Sequence, residues 1–215
     1  MLCGLMKLYD MVKAPNPRRV RIFLAEKGID VERQEVDIPS GQNRQPDYLT
    51  RVRRGVVPAL ELDDGTIIDE SIAICRYFEA LQPDPPLFGS DPLGIARIES
   101  WQRRIEFDGM INVAAIFRNT APHFAERAAP GAAPNTAQIP AMAERGLSLL
   151  PGFWSLLDEQ LADTPFIAGP NFSVADITGL VTVDFAKWVK QRIPDDAPNV
   201  QRWYEQVSAR PSATA

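Results

Sequence analysis

The stretch from Gly55 to Ser71, GVVPALELDDGTIIDES, constrains the fold more than any other part of the chain. Pro58 opens a short apolar run, Pro58-Ala59-Leu60-Glu61-Leu62. A proline ahead of a strand cannot donate to the ladder, so it marks an edge, a turn or a cis bond. Asp63-Asp64-Gly65 then reads as a tight hairpin turn, with glycine free to take the positive φ that such turns need. A second short strand, Thr66-Ile67-Ile68, leads through Asp69, Glu70 and Ser71 into Ile72-Ala73-Ile74-Cys75-Arg76-Tyr77-Phe78, which has helical spacing. At the opening of that helix the first backbone N–H groups lack partners and Ser71 adds a hydroxyl, a combination that suits a carboxylate.

The residues around this stretch extend the pattern. Lys7 to Met11 reads as a strand, Pro17 to Lys27 as a helix ended by Gly28, and Val31 to Val36 as a second strand, with a loose segment from Pro46 to Arg53. Strand-helix-strand followed by strand-strand-helix predicts a thioredoxin-like α/β N-terminal domain over residues 6–82. Residues 1–5 read as an extension, with Met6 opening the domain proper. Asp84-Pro85-Pro86 breaks the chain, which makes 83–91 a linker, and Pro92 suits the first turn of a helix. Beyond it, residues 92–211 are helical in pattern and predict an all-α C-terminal domain. Ile95, Ile98, Trp101, Ile105, Met110 and Ile111 recur every three or four positions along one long helix. Pro130 to Pro134 separates two helices, and Pro151-Gly152 is expected to kink or split the next one. Phe172-Ser173-Val174-Ala175-Asp176-Ile177 has the pattern of a capping box with a hydrophobic staple, a folding signal and not a catalytic one.

Taken together, these motifs resemble the cytosolic glutathione transferases over nearly the whole chain. The resemblance implies a glutathione transferase fold and a cis bond at Val57-Pro58, with the backbone of Val57 hydrogen-bonded to the cysteinyl part of glutathione. It also implies that Glu70 and Ser71 hold the γ-glutamyl end. Asn43 corresponds to a residue that contacts the glycyl end in similar bacterial sequences; a solvated loop residue is the plainer reading. Val56 is a departure, since many relatives carry Lys or Gln there, and Lys13 or Arg44 would have to compensate.

A transferase must also stabilise the glutathione thiolate, because the free thiol is mostly protonated at neutral pH. The family does so at the end of the first strand with Tyr, Ser or Cys. Here Ala14 stands where serine-type members carry their hydroxyl, and alanine donates no hydrogen bond. Asn16 is the replacement candidate for the catalytic role: its amide has two donors, and it lies beside the positive end of a helix dipole. The Ala14-Pro15-Asn16 segment resembles the Nu-like bacterial members, which use Thr-Pro-Asn. Asn16 as a plain helix N-cap is the competing reading. Tyr9 reads as a packed strand residue, Cys3 belongs to the extension, and Cys75 reads as a small core residue. Arg103, Phe107, Met110, Ile111 and Ala114 are candidates for the wall of a second, hydrophobic substrate site. His123 reads as a loop or surface histidine.

Composition excludes several other classes. The chain has 215 residues with 45% hydrophobic and 24% charged, which is ordinary globular chemistry. A net charge of −5 disfavours nucleic acid or an anionic membrane as partner. No apolar run reaches the length of a membrane span. Two cysteines make no disulfide framework, which points to a reducing cytoplasm, and no Cys-x-x-Cys is present for a thiol oxidoreductase. With a single histidine there is little material for a metal site. The expected activity is that of a homodimeric glutathione transferase, directing glutathione, its co-substrate, at a hydrophobic electrophile or a disulfide. The alternative is a catalytically weak binding or scaffold protein on the same fold, motivated by Ala14 and Val56.

Overall fold

The computed structural model describes residues 6–215, so Cys3 and the expected extension over 1–5 lie outside the described residues. Its first layer is a four-stranded sheet in the order β2-β1-β3-β4. β1 (Lys7–Asp10) runs parallel to β2 (Glu32–Glu35) and antiparallel to β3 (Ala59–Glu61), which pairs antiparallel with β4 (Ile67–Asp69). The register sets Leu8 opposite Leu60 and Leu60 opposite Ile68, so one face of the sheet is an apolar row. Because side chains alternate along a strand, Tyr9 and Ala59 fall on the other face. There they pack with Val36, Tyr48 and Val52 in a smaller core.

α1 (Pro15–Lys27) crosses from β1 to β2, and α3 (Ser71–Leu81) follows β4; the two pack side by side. Gly28 ends α1 at φ 64°, a left-handed position that costs other residues more than glycine. The segment expected to be loose contains a short helix, α2 (Pro46–Leu49), which buries Tyr48. Cys75 is fully buried within the core, where desolvation pushes its thiol up to about 12.

The helical half begins with α4 (Pro92–Arg104), capped by Asp91, whose carboxylate accepts from the backbone N–H groups of Leu93 and Gly94 at 3.0 Å each. The expected single long helix is interrupted: a π-helical stretch over Ile105–Met110 joins α4 to α5 (Ile111–Thr120). A Cβ on Gly109 would stand 2.6 Å from the Phe153 ring, so glycine is what lets the next helix close against this bulge. That helix, α6 (Pro140–Asp163), runs unbroken through Pro151, against the expected split. Pro151 and Leu147, whose carbonyl loses its partner, both face solvent, and water can satisfy that carbonyl.

α7 (Val174–Trp188) is the buried centre of this half, and α8 (Pro198–Ser208) packs behind it. Asp176 closes the capping box by accepting from the Ser173 backbone N–H at 2.9 Å and from its hydroxyl at 3.0 Å. Its carboxylate also accepts from Ile167 N–H at 2.9 Å and Trp203 Nε1 at 2.8 Å, tying three elements together. Burial pushes this carboxyl up to about 6 in spite of the four donors.

One hydrophobic core runs from Leu8 and Phe23 in the first half to Trp203 in the second. Around it, α1 is tied to the helices by charged side chains. Arg18 pairs with Asp184 at 2.7 Å and Arg19 with Glu106, while Arg19 Nε donates to Thr178 Oγ1 at 3.2 Å. Glu26 pairs with Arg210 at 2.7 Å at the far end of the helix. A second connection is made by residues 121–139, between α5 and α6. Here Ala132 N–H donates to Arg54 O at 2.8 Å, and Arg44 donates to Ala133 O at 2.7 Å.

Candidate functional site

Between these two seams lies a cleft of about 820 Å³, with one wall from each half of the molecule. The wall from the sheet domain is built largely of backbone. The Val57-Pro58 peptide is cis, and Val57 lines the cleft with neither its N–H nor its C=O hydrogen-bonded among the described residues. An unpaired extended backbone unit of this kind can pair with a peptide laid beside it. Ser71 is the first residue of α3 and 3% exposed, and its hydroxyl lines the cleft without a partner among the described residues. The first in-helix bond is made by Ile74 N–H to Glu70 O, which leaves the N–H groups of Ser71, Ile72 and Ala73 as the free end of the helix.

Glu70 precedes them at φ 72°, an unfavourable backbone position for a residue with a Cβ. Arg54 holds its carboxylate at 2.5 Å and also reaches Asp69 at 3.4 Å. Asn43 is no solvated loop residue. It is 5% exposed, its Nδ2 donates to Gly55 O at 2.7 Å, and its Oδ1 is buried without a partner among the described residues at the edge of the cleft. A buried acceptor left open is costly unless a ligand or water completes it.

The start of α1 closes this wall at one end. The helix begins at Pro15, two residues earlier than expected, with Ala14 in the N-cap position, so Asn16 is a first-turn residue and not the cap. Proline fits the first turn because it has no N–H to leave unpaired, and here it occupies both positions 15 and 17. Arg18 N–H makes the first helical bond, to Ala14 O at 3.3 Å. Among the described residues Asn16 therefore supplies the one unpaired N–H at this helix end. Its side chain is exposed to the cleft, and Oδ1 accepts from Arg19 Nη1 at 3.3 Å, which turns the Nδ2 donors outward.

Tyr9 stands away from the cleft, edge-on to Tyr48 at 5.5 Å with its hydroxyl donating to Glu61 at 2.5 Å. Arg44 is engaged by Ala133 O and Asn135, whereas Lys13 lines the cleft and is exposed.

The opposite wall is built of side chains. Met110, Ile111 and Ala114 line it as expected, but Arg103 and Phe107 do not. Arg103 is turned outward to Glu99 and Glu106 at 2.8 and 2.6 Å, and Phe107 is exposed, because the π-helical stretch rotates this part of the surface. Sequence reasoning missed Phe117, Phe124, Phe185 and Trp188, a cluster in which Phe117 meets the other three rings edge-on at 5.3 to 5.5 Å. His123 sits on the connecting segment and is exposed, yet it also lines the cleft, 4.2 Å from the Phe124 ring. Among the described residues the cleft carries four cations, Lys13, Arg54, Arg118 and Arg127, against one carboxylate, Glu70. In a chain of net charge −5 this is a local reversal that favours an anionic ligand.

Comparison with known proteins agrees with this geometry. Residues 14–81 match the family description "Glutathione S-transferase, N-terminal domain", and residues 141–215 match "Glutathione S-transferase, C-terminal domain". Glutathione S-transferase 2 of Saccharomyces cerevisiae is 35% identical over 96% of this chain and 87% of its own. The chain belongs to the glutathione S-transferase family. Among solved structures, a glutathione S-transferase domain-containing protein of Marinobacter aquaeolei superposes with a TM-score of 0.87 at 36% identity, over 96% of this chain and 98% of the other. A transferase of class Gtt2 from Vibrio parahaemolyticus gives 0.81 at 37% identity, over 96% and 94%. The thioredoxin-like domain followed by an all-α domain is thus the glutathione transferase fold. Among the described residues no helix is long and apolar enough to cross a membrane.

Proposed function

We propose that the cleft binds reduced glutathione and directs its thiolate at a hydrophobic electrophile or a disulfide. The observation that carries this reading is the set of open hydrogen-bonding groups on one wall: both backbone groups of Val57, the hydroxyl of Ser71 and the free end of α3. Val57 and Ser71 line one cleft, so an extended γ-glutamyl tripeptide can pair with both. Ser71 and the start of α3 take the γ-glutamyl carboxylate, and Glu70, held by Arg54, takes the amine. The Val57 backbone pairs with the cysteinyl residue beside Pro58. Asn43 Oδ1 accepts from the glycyl N–H.

The sulfur then falls at the start of α1. Asn16 stabilises it as thiolate with its backbone N–H and Nδ2, assisted by the helix dipole, and Ala14 has no part in this. The thiolate forms a bond to an electrophilic carbon or to one sulfur of a disulfide, and the leaving group departs with the electron pair. The aromatic wall around Phe117 holds the apolar body of that second substrate. A cytoplasmic homodimer is the assembly that family membership supports.

Asn16→Ala tests the thiolate step. The thiol pKa of bound glutathione, read from thiolate absorbance against pH, is expected to rise by about one unit, with kcat/KM falling roughly tenfold. Unchanged thiol pKa and unchanged glutathione-dependent disulfide reduction in Asn16→Ala would remove Asn16 from the mechanism.

A further inference from the structure

The glutathione reading leaves two of the cleft's arginines without a role, Arg118 from the last turn of α5 and Arg127 from the segment that follows. Their guanidinium carbons lie 4.6 and 6.0 Å from the centroid of one ring, that of Phe124. Each donates only to carbonyl oxygens: Arg118 to Ala128 at 3.2 Å, Arg127 to His123 at 3.2 Å and Pro39 at 3.3 Å. Neither has a carboxylate partner among the described residues, whereas Arg18, Arg19, Arg21, Arg54, Arg103 and Arg210 all do.

Burial first, and the charge of Arg127 second, hold the Arg118 guanidinium below its ordinary value. Two like charges kept close in a partly dry wall are unfavourable until an anion sits between them. The hydrogen bonds already made use Arg118 Nη1 and Arg127 Nε and Nη2, which leaves Arg118 Nε and Nη2 and Arg127 Nη1 as open donors among the described residues. Arg127 also reaches the sheet domain: it donates to Pro39 O, and a Cβ on Gly41 would lie 3.9 Å from its Nη1. Val56 supplies no charge on that side, and Arg44 is engaged elsewhere.

We infer that Arg118 and Arg127 form a carboxylate subsite, which takes a carboxylate carried by a molecule lying in the cleft. That group is the glycyl carboxylate of glutathione or an acid group on the second substrate. The inference rests on the glutathione reading and adds to it a preference for acidic ligands.

Two matched pairs of probes separate the sources. The first is glutathione and its glycyl ethyl ester, compared by calorimetric titration. The second is 4-chloro-3-nitrobenzoate and 4-chloro-3-nitrobenzamide, compared as acceptors. In that reaction a C–S bond forms, the C–Cl bond breaks, chloride leaves with the electron pair and the thiol proton goes to solvent. The wild-type protein is expected to favour the acid member of at least one pair about tenfold. R118Q/R127Q is expected to erase that preference and R127K to keep part of it, with the neutral member unaffected within about twofold.

Loss confined to the first pair assigns the subsite to the glycyl end, and loss confined to the second assigns it to the acceptor. A wild-type protein without preference in either pair overturns the inference. So does a variant that weakens acid and neutral probes equally when the acceptors are compared at saturating glutathione, because that is the signature of a loosened connecting segment. Wild-type protein that binds neither glutathione nor its ester would overturn the glutathione reading itself, and the subsite with it.

Discussion

The two walls of the cleft are made of different materials. The sheet-domain wall consists largely of backbone groups fixed by local geometry: a cis peptide at Val57-Pro58, a positive φ at Glu70, and the open ends of α1 and α3, with the polar side chains of Asn16, Asn43, Glu70 and Ser71 carried on them. The helical wall consists of side chains brought together from α5, α7 and the 121–139 segment, and no local motif sets their positions. A wall built largely of backbone recognises the constant partner of a reaction, because most of its donors do not depend on side-chain identity. A wall of aromatic side chains can be rewritten by substitution, which suits the variable partner.

The sharpest way to break this contrast is Asp176→Ala, at a residue outside the cleft. It removes the acceptor of four donors at the base of α7, and unfolding in urea is expected to show a loss of about 3–5 kcal/mol. A loss below about 1 kcal/mol would mean that the helical wall does not hang on this network. Next is Gly131→Ala. Its Cβ would stand 2.2 Å from Arg54 O, and the residue sits at φ 67°, so the segment that meets the first wall has to move. The expected cost is about 1–3 kcal/mol by the same measurement, and an unchanged midpoint would show that this seam is not tight.

Phe117→Ala sharpens the division of labour. It is expected to leave the glutathione Kd within about twofold while lowering kcat/KM for an apolar acceptor roughly tenfold. Equal loss of both would erase the distinction between the walls. The smallest effect concerns the charged seam under α1. Burial raises Asp184, but hydrogen bonds from Lys187, Tyr204 and Arg18 outweigh it and hold the carboxyl below its ordinary value. Glu26 is likewise raised by burial and lowered further by Arg210 and Ser212. A depressed carboxyl stabilises the fold above its unfolded pKa and loses that contribution as pH falls through the folded value. Thermal stability should therefore fall on acidification below about pH 4, and Asp184→Asn should flatten that fall by about 1 kcal/mol. An identical acid limb in Asp184→Asn would contradict the assignment.

The same contrast explains what could be read from the sequence. The backbone wall is encoded within a few residues, because Val57-Pro58, Asp63-Asp64-Gly65 and Glu70-Ser71 each carry their own local geometry. Ser173 and Asp176 announced their capping box for the same reason. The side-chain wall depends on packing between distant segments. Helical periodicity alone put Arg103 and Phe107 in it, since nothing in the spacing reveals that Ile105–Met110 would relax into a π-helix against Phe153. Phe117, Phe185 and Trp188 converge only once α5 and α7 are docked, and His123 and Arg127 depend on the path of an irregular segment. The offset at Asn16 is of a third kind: Pro15 and Pro17 both suit the first turn, and sequence gave no reason to choose the earlier.

The central claim is that the backbone wall is a glutathione site, and a calorimetric titration of the protein with reduced glutathione at neutral pH tests it most directly. Saturable binding is expected in the wild type. In Ser71→Ala it should weaken about ten- to a hundredfold, the loss expected for one hydrogen bond to a carboxylate. A folded wild-type protein that takes up no glutathione, or Ser71→Ala protein that binds it equally well, would contradict the account.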